Sequence, residues 1–239
     1  MVSKFVDEKV NPFVRNLVHD YCKTNQENVL TYELEYMSDV GIYEKKKRYA
    51  THKIFDEGDP VSKTKYSGIE LKKNQVPKEM KTFLADIYDG VISKNWKEAD
   101  YIKYIEDVYN KFTQFDVDEI SFWKGYNTGR DSTGFLTMEV GTTGIAKACT
   151  YYNQLIGKSG LNLSNKYNEI LVGNKVRFLY LNPNNAYNID CIAYLPGQYP
   201  EEFRKIFKPD YHKMFEKIIL DPLKSFREAC KFNDIDPSK

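Results

Sequence analysis

Lys45, Lys46, Lys47 and Arg48 are consecutive, Glu44 precedes them and Tyr49 follows. Cations grouped in this way neutralise phosphates or reach into a groove, and the tyrosine adds a flat face and a hydroxyl. A lysine run alone is a solvated turn, so its meaning depends on what holds it. Two Asp-x-Asp pairs, Asp116-Val117-Asp118 and Asp234-Ile235-Asp236, offer carboxylates of the kind that hold metals for phosphoryl transfer. The first follows a helix end and the second lies in a polar tail, so both are expected to be structural. His19, His52 and His212 have no nucleophile or metal-ligand partner at a recognisable spacing. Cys22, Cys149, Cys191 and Cys230 are far apart and form no Cys-x-x-Cys pair, which points to neither a zinc site nor a disulfide framework.

The elements that position the basic run can be read from periodicity. Leu30, Tyr32, Leu34 and Tyr36 alternate with polar residues, which predicts a half-buried strand before the run, and Tyr49 to Phe55 predicts a second strand after it. Upstream, Val6, Val10, Phe13, Leu17 and Tyr21 recur at helical spacing, so Phe5 to Lys23 is expected to be an amphipathic helix, kinked at Pro12. Asp56-Glu57-Gly58-Asp59-Pro60 has turn composition and marks the expected domain boundary, near residue 60. Pro77 is expected to open a helix whose stripe is Met80, Phe83, Leu84, Ile87, Tyr88 and Val91, and a second helix runs from Ala99 to Phe112. Five glycines between Gly125 and Gly144 predict a loop or short hairpin, not a phosphate-binding fingerprint. Thr142 or Thr143 then caps a helix burying Ile145, Ala148, Cys149, Tyr152, Leu155 and Ile156. A strand pair, Lys175 to Leu181 and Cys191 to Leu195, and final helices from Asp210 to Lys231, bent at Asp221-Pro222-Leu223, complete the chain.

Lys plus Arg (35) balances Asp plus Glu (34), so any nucleic-acid contact must come from local clustering and not from net charge. No segment approaches the ~20 continuous apolar residues of a membrane span. Met1-Val2-Ser3-Lys4 leads into an amphipathic stretch, so a soluble, cytoplasmic protein without a membrane partner is expected.

Lys46-Lys47-Arg48-Tyr49 matches, residue for residue, the Lys-Lys-Arg-Tyr motif with which family B DNA polymerases grip the minor groove of primer-template duplex, and the chain resembles the phage members of that family. A second motif follows in order: Lys65-Tyr66-Ser67-Gly68-Ile69-Glu70, then Lys73 and Pro77, is similar to the segment that opens the family's thumb. Gly144 to Asn153, ending in Tyr152-Asn153, resembles a thumb helix in which Lys147 stands where phage relatives carry a phosphate-contacting arginine. The family's preceding Pro and His are absent.

The resemblance implies an α+β chain: a remainder of the palm with its sheet and helix over residues 1–60, then a helix-rich thumb with a small β-hairpin over 61–239. It also implies DNA contacts from Lys46, Lys47, Arg48, Tyr49, Lys65, Gly68, Lys73 and Lys147. The family's catalytic carboxylates lie in motifs upstream of Met1. Mg²⁺ is therefore expected on a partner chain carrying the exonuclease, fingers and catalytic palm, with no catalytic or metal-binding residue in this chain, which should be inactive alone. The alternative is a free-standing DNA-binding module derived from a polymerase thumb. Phage relatives end in an aromatic clamp-binding tail, whereas Phe232 to Lys239 has no paired aromatics, so no such tail is expected here.

Overall fold

The computed structural model describes residues 2–23, 30–69, 71, 76–127, 144–158 and 160–237. The chain is α+β, with two three-stranded antiparallel sheets set among helices. Helix α1 (Val2–Phe5) passes through a π-turn (Val6–Val10) into α2 (Asn11–Cys22). The first sheet holds β1 (Tyr36–Lys45), β2 (Arg48–Asp56) and β3 (Asp59–Ser67) in that order. Then come α3 (Lys78–Ser93), α4 (Glu98–Phe112), the short α5 (Val117–Ile120), β4 (Phe122–Gly125) and α6 (Gly144–Ile156). Strands β5 (Lys175–Tyr180) and β6 (Cys191–Tyr194) join β4 in the second sheet, ordered β4-β5-β6. Helix α7 (Glu201–Ile206), α8 (Tyr211–Phe215), a second π-turn (Glu216–Leu220) and α9 (Lys224–Cys230) follow. No helix is long and apolar enough to cross a membrane among the described residues.

Several expectations change. The first strand starts at Tyr36 and not at Leu30, because Asn11 captures the backbone further upstream. Its amide accepts from the Tyr32 N–H at 2.7 Å and donates to the Tyr32 carbonyl at 3.0 Å, taking the groups a strand neighbour would need. The turn at Glu57-Gly58 is a tight hairpin turn closed by Asp56 and Asp59, so the break placed near residue 60 falls inside the first sheet, which continues to Ser67. Strand β4, not foreseen, pairs with β5 from Phe122↔Phe178 to Gly125↔Lys175. Pro77 caps α3 from outside the helix, with ψ at 150°, instead of occupying its first turn. The caps expected at Thr142 or Thr143, and most of the glycine-rich stretch, lie outside the described residues.

Both helical prolines are accommodated in the same way. Proline has no N–H and its ring crowds the carbonyl four residues back. The residue just before each proline bonds five residues back, Asn11 to Val6 and Asp221 to Glu216 at 2.8 Å, which widens the turn by one residue.

The predicted stripes of α3, α4 and α6 do form the core. Met80, Leu84, Ile87, Ile105, Val108, Phe112, Tyr152 and Ile156 are all buried, with Phe83, Val91, Ile102, Tyr109 and Ile145 at its margin, and Tyr101, outside the predicted stripe, is buried with them. Tyr88 stacks edge-on against Phe226 of α9 at 4.8 Å, and Phe112 against Phe215 of α8 at 5.2 Å. Ile42 and Ala50 of the first sheet belong to the same buried cluster, so that sheet is seated on the helices and not hung from a linker. Segment 231–237 folds back: Asn233 bonds Glu98 at the start of α4, and Arg227 pairs with Asp234.

Candidate nucleic-acid interface

The basic run is the tip of the β1–β2 hairpin. Lys45 and Arg48 pair across it, Lys46 and Lys47 are the two turn residues, and the strands continue through Tyr43↔Tyr49 and Ile42↔Ala50. The cations therefore project from a sheet corner, where the sequence pattern had placed them between two separate strands. Lys45, Lys46 and Lys47 are exposed, and none of their ammonium groups has an ion-pair partner among the described residues.

Arg48 has a different role. Its guanidinium lies 3.2 Å from Glu44, whose side chain is fully buried, and the other Glu44 oxygen accepts from the Tyr88 hydroxyl of α3. Burial first, and Glu44 second, push the Tyr88 hydroxyl well above the ordinary tyrosine value, so it stays a donor. Glu44, Arg48 and Tyr88 thus fasten the hairpin to the helical layer.

Lys47 takes a left-handed backbone, φ +65°, and its carbonyl turns toward the start of the segment after β3. Ser67 donates its hydroxyl to that carbonyl at 3.4 Å. Gly68, at φ +59°, packs against the same oxygen, and a Cβ there would overlap it. The close backbone approach that Gly68 allows is made here to the hairpin turn.

Interaction between the Tyr36 and Tyr49 hydroxyls lowers the Tyr49 ionisation and raises that of Tyr36. Lys65 lies 3.5 Å from Glu35 and 4.4 Å from the centre of the Tyr36 ring. Lys147 is bonded to Asp190 at 2.9 Å, which ties α6 to the loop before β6 and raises the Lys147 ionisation. A phosphate at Lys147 would first have to displace that carboxylate. Tyr152 is fully buried, and Asn153 clips the backbone of Ile170 through bonds of 2.8 and 2.9 Å. Lys73 lies outside the described residues.

The carboxylate pairs are occupied. Asp116 caps α5 and holds Arg204 through both oxygens, and Asp118 accepts from the Tyr194 hydroxyl at 2.8 Å. His52 bridges Asp39 at 2.7 Å and Ser62 at 3.0 Å. No group of three or more His, Cys, Asp and Glu among the described residues is placed to hold a metal ion. Compared with known proteins, the chain matches no protein-family model, and no curated protein matches it.

Sequence reasoning missed Glu44, Tyr88, Tyr36, Tyr43 and Lys53. Lys53 is buried against Asp56 on the strand after the turn. With Lys63 it holds the Asp56 carboxyl down at about 2. Register was a partial signal: a two-residue turn at Lys46-Lys47 alone would set Glu44 opposite Tyr49, whereas a bulge at Glu44 shifts the pairing by one residue, so that Tyr43 faces Tyr49 and Gly41 faces Thr51.

Proposed function

We propose that this chain is the C-terminal part of a split, phage-type family B DNA polymerase, gripping primer-template duplex in the minor groove with the β1–β2 hairpin. The observation that carries this reading is the hairpin tip. Three exposed lysines without ion-pair partners among the described residues stand on a turn that Glu44, Tyr88, Ser67 and Gly68 hold in place. Such a tip presents fixed charge to phosphates at little cost in ordering. In this role Lys46 and Lys47 contact DNA, Arg48 positions them, and Tyr49 lines the groove side.

The exposed apolar side chains support a partner chain. Val2, Phe5, Phe13, Leu17, Tyr21, Leu30 and Tyr32 are exposed along the N-terminal helix and the segment after it, a concentration seen nowhere else among the described residues. On this reading the catalytic palm of the partner covers them and binds the Mg²⁺ that activates the primer terminus and stabilises the leaving pyrophosphate. Because positioning supplies much of the rate in phosphoryl transfer, the partner alone should extend primers poorly, by roughly 100-fold. Expressing the two chains apart and together, then following Mg²⁺-dependent extension, tests this. Full extension by the partner alone would refute it.

A second reading, a free-standing DNA-binding module, is favoured by one observation: Glu44, Tyr88 and Ser67 brace the hairpin from within this chain. Duplex binding that needs no partner, joined to failure of the two chains to copurify, would select it.

A further inference from the structure

The first sheet has two unlike faces. One is seated on α3, where Thr64 and Tyr66 donate to Asp89 at 2.7 and 2.8 Å. The opposite face carries Tyr43 and Tyr49, side by side on β1 and β2 with ring centres 5.8 Å apart and planes tilted by 31°. The Tyr43 ring lies across Gly41. A Cβ at that glycine would come within 2.8 Å of Tyr43 Cε2 and 3.0 Å of Thr51 Cγ2, so only glycine lets the ring settle this low. Thr51 beneath is fully buried while Tyr43 is 67% exposed, so the ring roofs the sheet and turns its outer side to solvent.

Charge surrounds this platform. Lys45, Lys46 and Lys47 stand at the hairpin end. Toward the other end, the Lys53 and Lys65 ammonium groups bracket the Tyr36 ring at 4.5 and 4.4 Å and are neutralised by Asp56 and Glu35, so the charge available to a ligand lies at the hairpin end. An aromatic pair on a sheet, with Tyr43 exposed and Tyr49 half-buried beside it and exposed lysines at the hairpin end, offers what unpaired bases and their phosphates require: a π-face for stacking and cations for the backbone.

We propose that this outer sheet face binds single-stranded nucleic acid, one base stacking on Tyr43 and its neighbour reaching Tyr49, with the phosphates running past the hairpin lysines. The proposal shares the hairpin lysines and Tyr49 with the duplex grip but concerns a different ligand, and it rests on Tyr43, which the grip does not use. Base stacking is tolerant of sequence, so the preference is for unpaired over paired strands and not for a particular base.

The test is fluorescence anisotropy with the full chain and a labelled oligothymidylate of about 12 nucleotides. Tyr43→Ala should weaken binding by about 5- to 100-fold, the range expected for loss of one or two stacked bases, and Tyr43→Phe should leave it unchanged. An abasic strand of the same length, which keeps the phosphates and lacks the bases, should bind the wild-type chain more weakly by a similar factor. That arm needs no substitution, so it decides the matter even if a variant misfolds. Duplex binding should be the same in wild type and both Tyr43 variants, which separates failure here from failure of the duplex grip. Equal affinity for the oligothymidylate and the abasic strand, or an unchanged affinity in Tyr43→Ala, would overturn the proposal. So would a wild-type chain that ignores single strands and binds a protein segment on this face.

Discussion

Arg48→Ala should destabilise the fold by about 3 kcal/mol or more, because it strands a carboxylate that has no access to water. The Glu44 side chain is fully buried, and beyond the Tyr88 hydroxyl the Arg48 guanidinium at 3.2 Å is its compensating charge. Removing the cation leaves the full desolvation cost of the anion unmet, which exceeds what the pair contributes when whole. The same logic predicts rescue. In Arg48→Ala/Glu44→Gln the orphaned charge is gone and the Tyr88 hydroxyl keeps an acceptor, so much of the lost stability should return. Urea unfolding of the two variants beside wild type, read at constant slope, measures both steps. A double variant no more stable than Arg48→Ala would show that the stranded Glu44 charge is not the source of the loss.

Gly68→Ala should cost about 2 kcal/mol or more, and should do so through the hairpin tip. A left-handed backbone at an alanine costs about 1–2 kcal/mol by itself. At φ +59° the new Cβ would also overlap the Lys47 carbonyl, so the turn must move or the strand end must swing away. Either movement displaces Lys46 and Lys47. Thermal unfolding should fall by roughly 4–8 °C for a chain of this size, and duplex affinity should fall with it. Wild-type stability in this variant would show that the segment after β3 yields without strain and does not brace the turn.

These two positions also mark where the sequence was legible. Helices α3, α4 and α6 could be read because their buried residues recur every three or four positions and nothing competes with that pattern. The basic run could be read as a surface feature because four adjacent cations cannot all be buried. What could not be read was pairing. Glu44 looks like one more surface charge until the hairpin closes and brings it under Arg48 and against Tyr88. Leu30 to Tyr36 alternates as a strand should, yet Asn11 takes its backbone partners from 21 residues away. Strand β3 was hidden by its own polarity, since Asp59 to Ser67 carries charge and Pro60 and buries no side chain fully. Lys65 and Lys147 have the right residue type for phosphate contacts, but the fold brings Glu35 and Asp190 to them. Residue type fixes what a side chain can do, and the partner that folding brings decides which of those things it does.

The central claim is that the hairpin tip grips duplex DNA by its phosphates, and the salt dependence of binding tests it most directly. Each phosphate neutralised contributes about 0.9 to the slope of log affinity against log salt. Lys46→Ala/Lys47→Ala leaves Arg48, Glu44 and Tyr88 untouched, so the fold should be preserved while two contacts are lost. Anisotropy titrations of a labelled primer-template duplex between about 50 and 200 mM salt should show weaker binding and a slope shallower by up to ~2 in this variant. An affinity and slope equal to wild type would mean that the lysines are a solvated turn and that the chain does not hold DNA there.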